Sequence, residues 1–147
     1  MEHDTTIIQC KRAFRHPRQR VFGYFLDPAM VKQWFGPKEF SIGQVILEPK
    51  VGGHLEIEMI TPKKDVLWVK GSYTEIVANE KIAYTFVYEP DGPNLGKTLV
   101  TIHFRAVNDS ETEVQLIHTI YKTINPEGRA KGWEAGFDKM EILLQNN

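Results

Sequence analysis

A histidine and two tyrosines are the residues of this sequence best suited to chemistry. His118 shares the predicted inner face of a strand with Leu116 and Ile120, where an imidazole could bind a ligand or transfer a proton near neutral pH. The alternative is a neutral core histidine with one satisfied hydrogen bond. The phenols of Tyr73 and Tyr84 could orient a polar ligand group. Because the pattern places no Ser, Cys or carboxylate beside His118, and most mechanisms need coupled groups, we assign no catalytic residue.

A set of mostly apolar residues is predicted to point inward and could line a pocket for a small molecule. The candidates are Trp34, Leu55, Ile57, Met59, Tyr84, Phe86, Ile102, Phe104, Leu116, His118, Trp133 and Phe137. The alternative is that these side chains simply fill the core, which is the commoner fate of alternating apolar residues. A binding protein needs a real void of roughly 300 Å³ or more, so the size of any cavity separates the two interpretations.

The sequence predicts neither a metal site nor a cofactor. The five histidines are scattered, and none forms a Cys/His or His/carboxylate cluster with ligand spacing. They are His3, His16, His54, His103 and His118. No glycine pattern follows a strand and opens a helix, as a phosphate or dinucleotide loop requires.

Basic residues are concentrated early in the chain, at Lys11, Arg12, Arg15, Arg18 and Arg20. Such a cluster could bind nucleic acid or an acidic partner, or it could be a solvated face. Only Phe14 falls among these charges, short of the aromatic interleaving typical of single-strand binders, so no nucleic-acid partner is predicted. The whole chain, with 18 Lys plus Arg against 19 Asp plus Glu, has no strong net field. Separately, Arg129 could meet an anionic ligand at a cavity mouth.

Length and cysteine content indicate one cytoplasmic domain. A chain of 147 residues is long enough for one sizeable core but not two, so residues 1–147 are predicted to form a single domain. The single cysteine, Cys10, cannot form an intramolecular disulfide and is interpreted as a small buried hydrophobe. Neither a leader-like segment at the start nor an apolar run long enough for a bilayer is seen, so no membrane association is expected.

The elements that must position these residues are strand, two short helices, a run of strands and one long helix. A strand is predicted over Thr6 to Phe14, and helices over Pro17 to Phe25 and from Asp27-Pro28 to Trp34. Alternating runs with turn signals from Phe40 to Tyr121 predict an antiparallel meander. Gly71 within a strand pattern indicates either a bulge or a close backbone approach.

The last helix, about Asn125 to Leu144, carries an apolar stripe at helical spacing. Its members are Ala130, Trp133, Phe137, Met140 and Leu144. Ile142 falls on the polar side and has no assigned place. Gly132 and Gly136, four residues apart at the edge of the stripe, are predicted to let this helix approach the sheet closely.

Several strings together resemble one family over nearly the whole chain, from about Phe14 to Leu143. They are Pro17 to Phe22, Asp27-Pro28, Trp34, Gly36-Pro37, Gly52-Gly53, Gly71-Ser72-Tyr73 and Gly132-Trp133. In order and spacing they are similar to the group named after the carboxy-terminal domain of the activator of Hsp90 ATPase, in the START-related SRPBCC superfamily. The resemblance implies an α+β helix-grip fold, β-α-α-β(meander)-α, with an elongated cavity between the long helix and a curved antiparallel sheet.

Three hypotheses about function follow. Members of the wider superfamily bind lipids, polyketides and other apolar molecules, which favours binding of a small apolar or amphipathic ligand in the cavity. Some members catalyse cyclisation or hydrolysis, which would need titratable groups converging inside the pocket. The activator itself is an Hsp90 co-chaperone, so a protein-interaction module acting on a chaperone, or on a second copy of the chain, is the third hypothesis.

Overall fold

A computed structural model describes residues 5–89, 98–121 and 126–146. In chain order its elements are β1 (Thr5–Phe14), α1 (Arg18–Leu26), α2 (Pro28–Trp34), β2 (Ser41–Leu47), β3 (His54–Ile60), β4 (Val66–Val77), β5 (Lys81–Glu89), β6 (Thr98–Asn108), β7 (Glu111–Tyr121) and α3 (Pro126–Asn146). These bounds agree with the predicted elements to within about two residues. Within the described residues no helix is long and apolar enough to cross a bilayer.

All seven strands join one antiparallel sheet in the order β1-β7-β6-β5-β4-β3-β2. Strands β2 to β7 form the meander. The first strand of the chain, β1, pairs with β7, so that Ile8 lies opposite His118. Three helices and a curved antiparallel sheet make this the α+β helix-grip fold that the resemblance implied.

The short connections follow from local chemistry. Asp27 caps α2 by accepting a hydrogen bond from the Ala29 amide at 2.9 Å, and Pro28 occupies the first helical position, where a missing N–H does no harm. Gly52, in the β2–β3 turn, has a φ of +85°, which glycine adopts without steric cost. The start of α2 at Asp27-Pro28 is as predicted.

Gly71 marks a close backbone approach rather than a bulge. A Cβ atom built on it would collide with the backbone carbonyl oxygen of Thr85 on the neighbouring strand β5. The bulge in this pair of strands lies further along, where the register shifts between Tyr73 and Glu75. Of the two alternatives left open by the sequence, close approach is therefore correct.

The inner face of the sheet is the one that the alternation predicted. On β3, β5, β6 and β7 the inward residues are all at most 5% exposed. They are Leu55, Ile57, Met59, Ile82, Tyr84, Phe86, Val100, Ile102, Phe104, Leu116 and His118. Cys10 on β1 is also buried, as predicted, and burial raises the pKa of its thiol to about 11.

Four of the five residues of the apolar stripe of α3 are buried, with Phe137 and Met140 fully inaccessible, and Ala130 is partly buried. Ile142, which had no assigned place, is 58% exposed and faces solvent. The prediction for the two glycines was wrong. A Cβ on Gly136 would lie 3.1 Å from the carbonyl oxygen of Trp34, so this glycine admits α2, not the sheet. Gly132 has only Pro37 nearby, at 3.7 Å.

Polar contacts fix the second half of α3 to the rest of the fold. Arg12 forms an ion pair with Asp138 at 2.7 Å, and Arg20 donates to the backbone oxygen of Leu144 at 2.9 Å. The Lys139 ammonium donates to the carbonyl oxygens of Phe35 and Gly36 at 3.2 and 3.0 Å. Two residues of the early basic cluster, Arg12 and Arg20, thus position the last helix.

Candidate functional site

A cavity of about 260 Å³ lies beneath the first half of α3. This falls just short of the roughly 300 Å³ set above for a binding protein, so the volume alone does not decide between a ligand pocket and a filled core. Its walls come from the segment after α2, from β3, β4 and β5, and from α3. The lining residues are Phe35, Gly36, Pro37, Phe40, Met59, Leu67, Phe86, Tyr88, Gly128, Arg129, Gly132 and Trp133.

The deep wall of the cavity is an aromatic cluster with fixed geometry. The ring of Trp133 packs against Phe35 and Phe86, with centroid distances of 5.7 and 6.0 Å. Phe86 in turn packs against the His118 ring, with a centroid distance of 4.8 Å and an interplanar angle of 62°. All four residues are buried, so this wall offers aromatic surface to whatever enters.

A chain of hydrogen bonds behind this wall determines the protonation of His118. The indole N–H of Trp133 can only donate, so at 3.2 Å the Nδ1 atom of His118 must be the acceptor. Thr98 donates its hydroxyl proton to the carbonyl oxygen of Phe86 at 2.9 Å. The 2.8 Å contact between Thr98 Oγ1 and His118 Nε2 is therefore donated by the imidazole. His118 is the neutral Nε2–H tautomer, with both nitrogens engaged.

The environment of His118 opposes its protonation. Burial, and to a smaller degree the nearby positive charge of Arg129, lower the pKa of the imidazole to about 3. A proton acceptor for catalysis near neutral pH needs a pKa near the working pH and a free nitrogen. The arrangement therefore matches the core-histidine alternative, with two hydrogen bonds in place of the one expected.

Arg129 places a positive charge at the mouth of the cavity. Arg129 lies in the first turn of α3 and is half-buried. Its guanidinium carbon lies 4.0 Å from the ring centroid of Tyr88, close enough for a cation–π contact. Burial raises the pKa of the Tyr88 phenol, although the guanidinium opposes the rise. The phenol is thus neutral beside a cation.

Three of the twelve predicted pocket residues line this cavity, namely Met59, Phe86 and Trp133. The other nine are buried in the surrounding core and do not reach it. They are Trp34, Leu55, Ile57, Tyr84, Ile102, Phe104, Leu116, His118 and Phe137. His118 nevertheless contacts the wall from behind through Trp133.

The lining residues that the sequence did not single out lie in the segment after α2, near the ends of β4 and β5, and in the first turn of α3. They include Phe35, Phe40, Leu67, Tyr88 and Gly128. Strand alternation selects fully inward positions, whereas Phe40, Leu67 and Tyr88 are only partly buried. The available signals were Gly36-Pro37, a string of the resemblance, and Arg129, whose predicted place at a cavity mouth agrees with the lining.

The two tyrosines considered for ligand orientation lie elsewhere. Tyr73 and Tyr84 pack against each other at 5.9 Å on β4 and β5, and burial raises the pKa of both phenols. The hydroxyl of Tyr73 is buried without a hydrogen-bond partner among the described residues. Within the same residues, no group of three His, Cys, Asp or Glu side chains could hold a metal ion.

Comparison with known proteins gives one consistent result. Residues 15–145 match the sequence model of the family described as Activator of Hsp90 ATPase homolog 1-like protein. A crystal structure of a Chromobacterium violaceum protein is 25% identical, with a TM-score of 0.84, and the alignment covers 93% of this chain and 95% of that one. No curated protein gave a significant match.

Two further crystal structures share the fold at lower identity. A Nitrosomonas europaea protein is 19% identical with a TM-score of 0.80, over 95% of this chain and 94% of that one. The AHSA1 protein of Silicibacter pomeroyi is 17% identical with a TM-score of 0.78, over 95% of this chain and 98% of that one.

Proposed function

This chain belongs to the Activator of Hsp90 ATPase homolog 1-like family, and we propose that it binds a small, mostly apolar molecule in the cavity beneath the first half of α3. The SRPBCC fold to which the family belongs commonly binds hydrophobic ligands. The observation that carries the proposal is the cavity itself, about 260 Å³ of space lined mainly by aromatic and aliphatic side chains. The cavity opens to solvent at its mouth, so a ligand can enter, and its apolar lining favours an apolar occupant.

The volume restricts the size of that occupant. An engineered apolar cavity of about 150 Å³ accommodates benzene. The present cavity, at about 260 Å³, has room for one ring with a short substituent or for a short aliphatic chain. A long-chain lipid would have to extend through the mouth, past Arg129 and Gly128. The expected ligand is therefore compact.

The walls are braced by contacts that do not depend on a ligand. Trp133 is held by its hydrogen bond to His118, and Lys139 holds the carbonyl oxygens of Phe35 and Gly36. Collapse of the cavity would require breaking these buried or half-buried hydrogen bonds, which is unfavourable. A pre-formed site loses less ordering entropy when it binds a ligand.

Filling the cavity tests the proposal. A Cβ on Gly132 would meet only Pro37, at 3.7 Å, so Gly132→Leu adds a side chain at the cavity without a backbone clash. We expect protein purified from its own cell to retain a small molecule, seen by native mass spectrometry and identified after denaturing extraction. Gly132→Leu should lose that molecule.

Gly23→Leu is the matched control, because it is also a helical glycine and an added Cβ there meets nothing within 4 Å. It should retain the molecule at the wild-type level. Equal retention by the Gly132→Leu and wild-type proteins would place the molecule outside the cavity and contradict the proposal, as would the absence of any retained or titratable apolar molecule.

The cyclase or hydrolase hypothesis gains no support from this geometry, because both nitrogens of His118 are engaged within the protein. Turnover lost in His118→Ala and Tyr84→Phe variants would revive it. A chaperone partner and a homodimer stay predictions, which a pull-down and gel filtration can test.

A further inference from the structure

We infer that the ligand of this cavity is a compact aromatic or aliphatic carboxylate, whose carboxylate group binds Arg129 at the mouth while its apolar part fills the space against Trp133. The inference rests on the proposed function and names the ligand class for the same site. It follows from the placement, donor chemistry and charge environment of one arginine.

Arg129 is the sole charge among the described residues of the site. Of the twelve described residues that line the cavity, it alone carries a charge at neutral pH, since the others are aromatic, aliphatic, proline or glycine. The neighbouring phenol of Tyr88 is neutral, and so is His118 behind the wall. A ligand that reached from the deep wall to the mouth would thus meet apolar surface first and one cation last.

The guanidinium has donors left for a ligand. Its carbon lies 4.0 Å from the ring centroid of Tyr88, and it also donates a side-chain hydrogen bond to the Tyr88 phenol. A guanidinium carries five N–H donors in one plane, so this contact does not use all of them. Two parallel donors in that plane match the two oxygens of a carboxylate, a frequent bidentate partner of arginine.

Nothing in the described part of the chain neutralises this cation. No carboxylate among residues 5–89, 98–121 and 126–146 lies within 4.0 Å of the Arg129 guanidinium. Glu89, at the end of the adjacent strand β5, pairs with Lys70 instead, at 3.2 Å. A half-buried cation is desolvated at some cost, and an anion at the same depth offsets it. The site is thus electrostatically complementary to one negative charge.

Isothermal titration calorimetry with a matched pair of probes tests the inference. Phenylpropionate and phenylpropionamide have nearly the same shape and differ in charge. We expect the wild-type protein to bind the carboxylate about tenfold more tightly than the amide, the effect of a charge-assisted hydrogen bond. Arg129→Gln should remove this preference and leave the affinity for the amide unchanged.

Two variants serve as controls. Arg129→Lys keeps the charge but loses the planar fork, so it should retain part of the preference. Arg105→Gln removes an exposed arginine of β6 that pairs with Glu113, and should bind both probes as the wild type does. Thermal unfolding of each variant verifies that it is folded.

The outcomes separate this inference from the proposed function. Equal binding of both probes to the wild type, or a preference that survives in Arg129→Gln, would overturn the inference and leave the apolar cavity standing. Absence of binding by either probe at millimolar concentration would count against the proposed function and against the inference with it. Loss of binding of both probes in Gly132→Leu supports the inference, because it places the probes in the cavity that Arg129 lines.

Discussion

The two halves of α3 contribute to one apolar stripe but differ in what lies beneath them. In the second half, Phe137 and Met140 are fully buried, and Phe137 packs edge-on against Phe14 and Phe25 at 5.8 and 6.2 Å. In the first half, the helix covers a cavity of about 260 Å³. We call the second half the anchored half, because it packs against the core. We call the first half the roof, because it covers the cavity.

The difference originates in the elements opposite the helix. Phe14 on β1 and Phe25 on α1 fill the space beneath the anchored half, and Gly136 lets the backbone of Trp34 come close. Beneath the roof, the aromatic side chains line the cavity and do not fill it. The anchored half therefore supplies stability, which leaves the roof free to enclose a ligand.

Truncation of a phenylalanine in each half should give the largest contrast. Phe137→Ala should lower the free energy of unfolding by about 3–5 kcal/mol, because it leaves a void in a fully packed region. Phe40→Ala, at the partly buried cavity wall, should cost only about 1–2 kcal/mol. Urea unfolding measures both, and equal losses would contradict the division of the helix.

Enlarging the two glycines of α3 should give a smaller contrast of the same kind. Gly136→Leu should destabilise by about 1–3 kcal/mol, since its Cβ would lie 3.1 Å from the Trp34 carbonyl oxygen and 3.2 Å from the indole. Gly132→Leu should be neutral or stabilising by up to about 1 kcal/mol, because leucine favours the helix more than glycine does. Thermal and urea unfolding measure both changes. A larger loss of stability in Gly132→Leu than in Gly136→Leu would contradict the prediction.

Acid should weaken the support that His118 gives to the cavity wall, by a smaller amount. The unfolded chain protonates His118 near its ordinary pKa of 6.5, whereas the folded protein holds that pKa at about 3. The stability from the neutral imidazole is present above pH 6.5 and is lost as the pH falls towards 3. Between about pH 7.5 and about pH 5.5 the loss should be about 1.4 kcal/mol.

Urea unfolding at the two pH values measures this loss, and NMR can follow the His118 ring directly. His118→Gln should lack this part of the pH dependence. If His118→Gln and the wild type show the same pH dependence of stability, the folded and unfolded states hold the same His118 pKa, which contradicts the prediction.

The fold was predictable because periodicity reports burial directly. Alternation placed Phe86 and His118 on the inner face, and helical spacing placed Phe137 and Met140 in the core. Asp27-Pro28 predicted the start of α2 because a cap and a first-turn proline are local chemistry. The exposed Ile142 shows that the polar face of α3 was also correctly assigned.

The site was less predictable, because a cavity depends on how elements that are distant in the chain pack against one another. Tyr84 and Phe86 have the same pattern on β5, yet only Phe86 reaches the cavity. The lining residues Phe35 and Pro37 lie outside any periodic element, so no periodicity selects them. Which glycine faces a void and which faces Trp34 likewise depends on the packing of α2 against α3.

The occupied indole N–H of Trp133 has a consequence for selectivity. Since that N–H is already donated to His118, the deep wall presents ring faces and edges but no donor to a guest. Molecules are then sorted there by shape, and one methylene more or less changes affinity by only about 1–3 kcal/mol in such surroundings. The protein should accordingly tolerate a group of similarly shaped guests, and strict discrimination, if it exists, must come from the mouth.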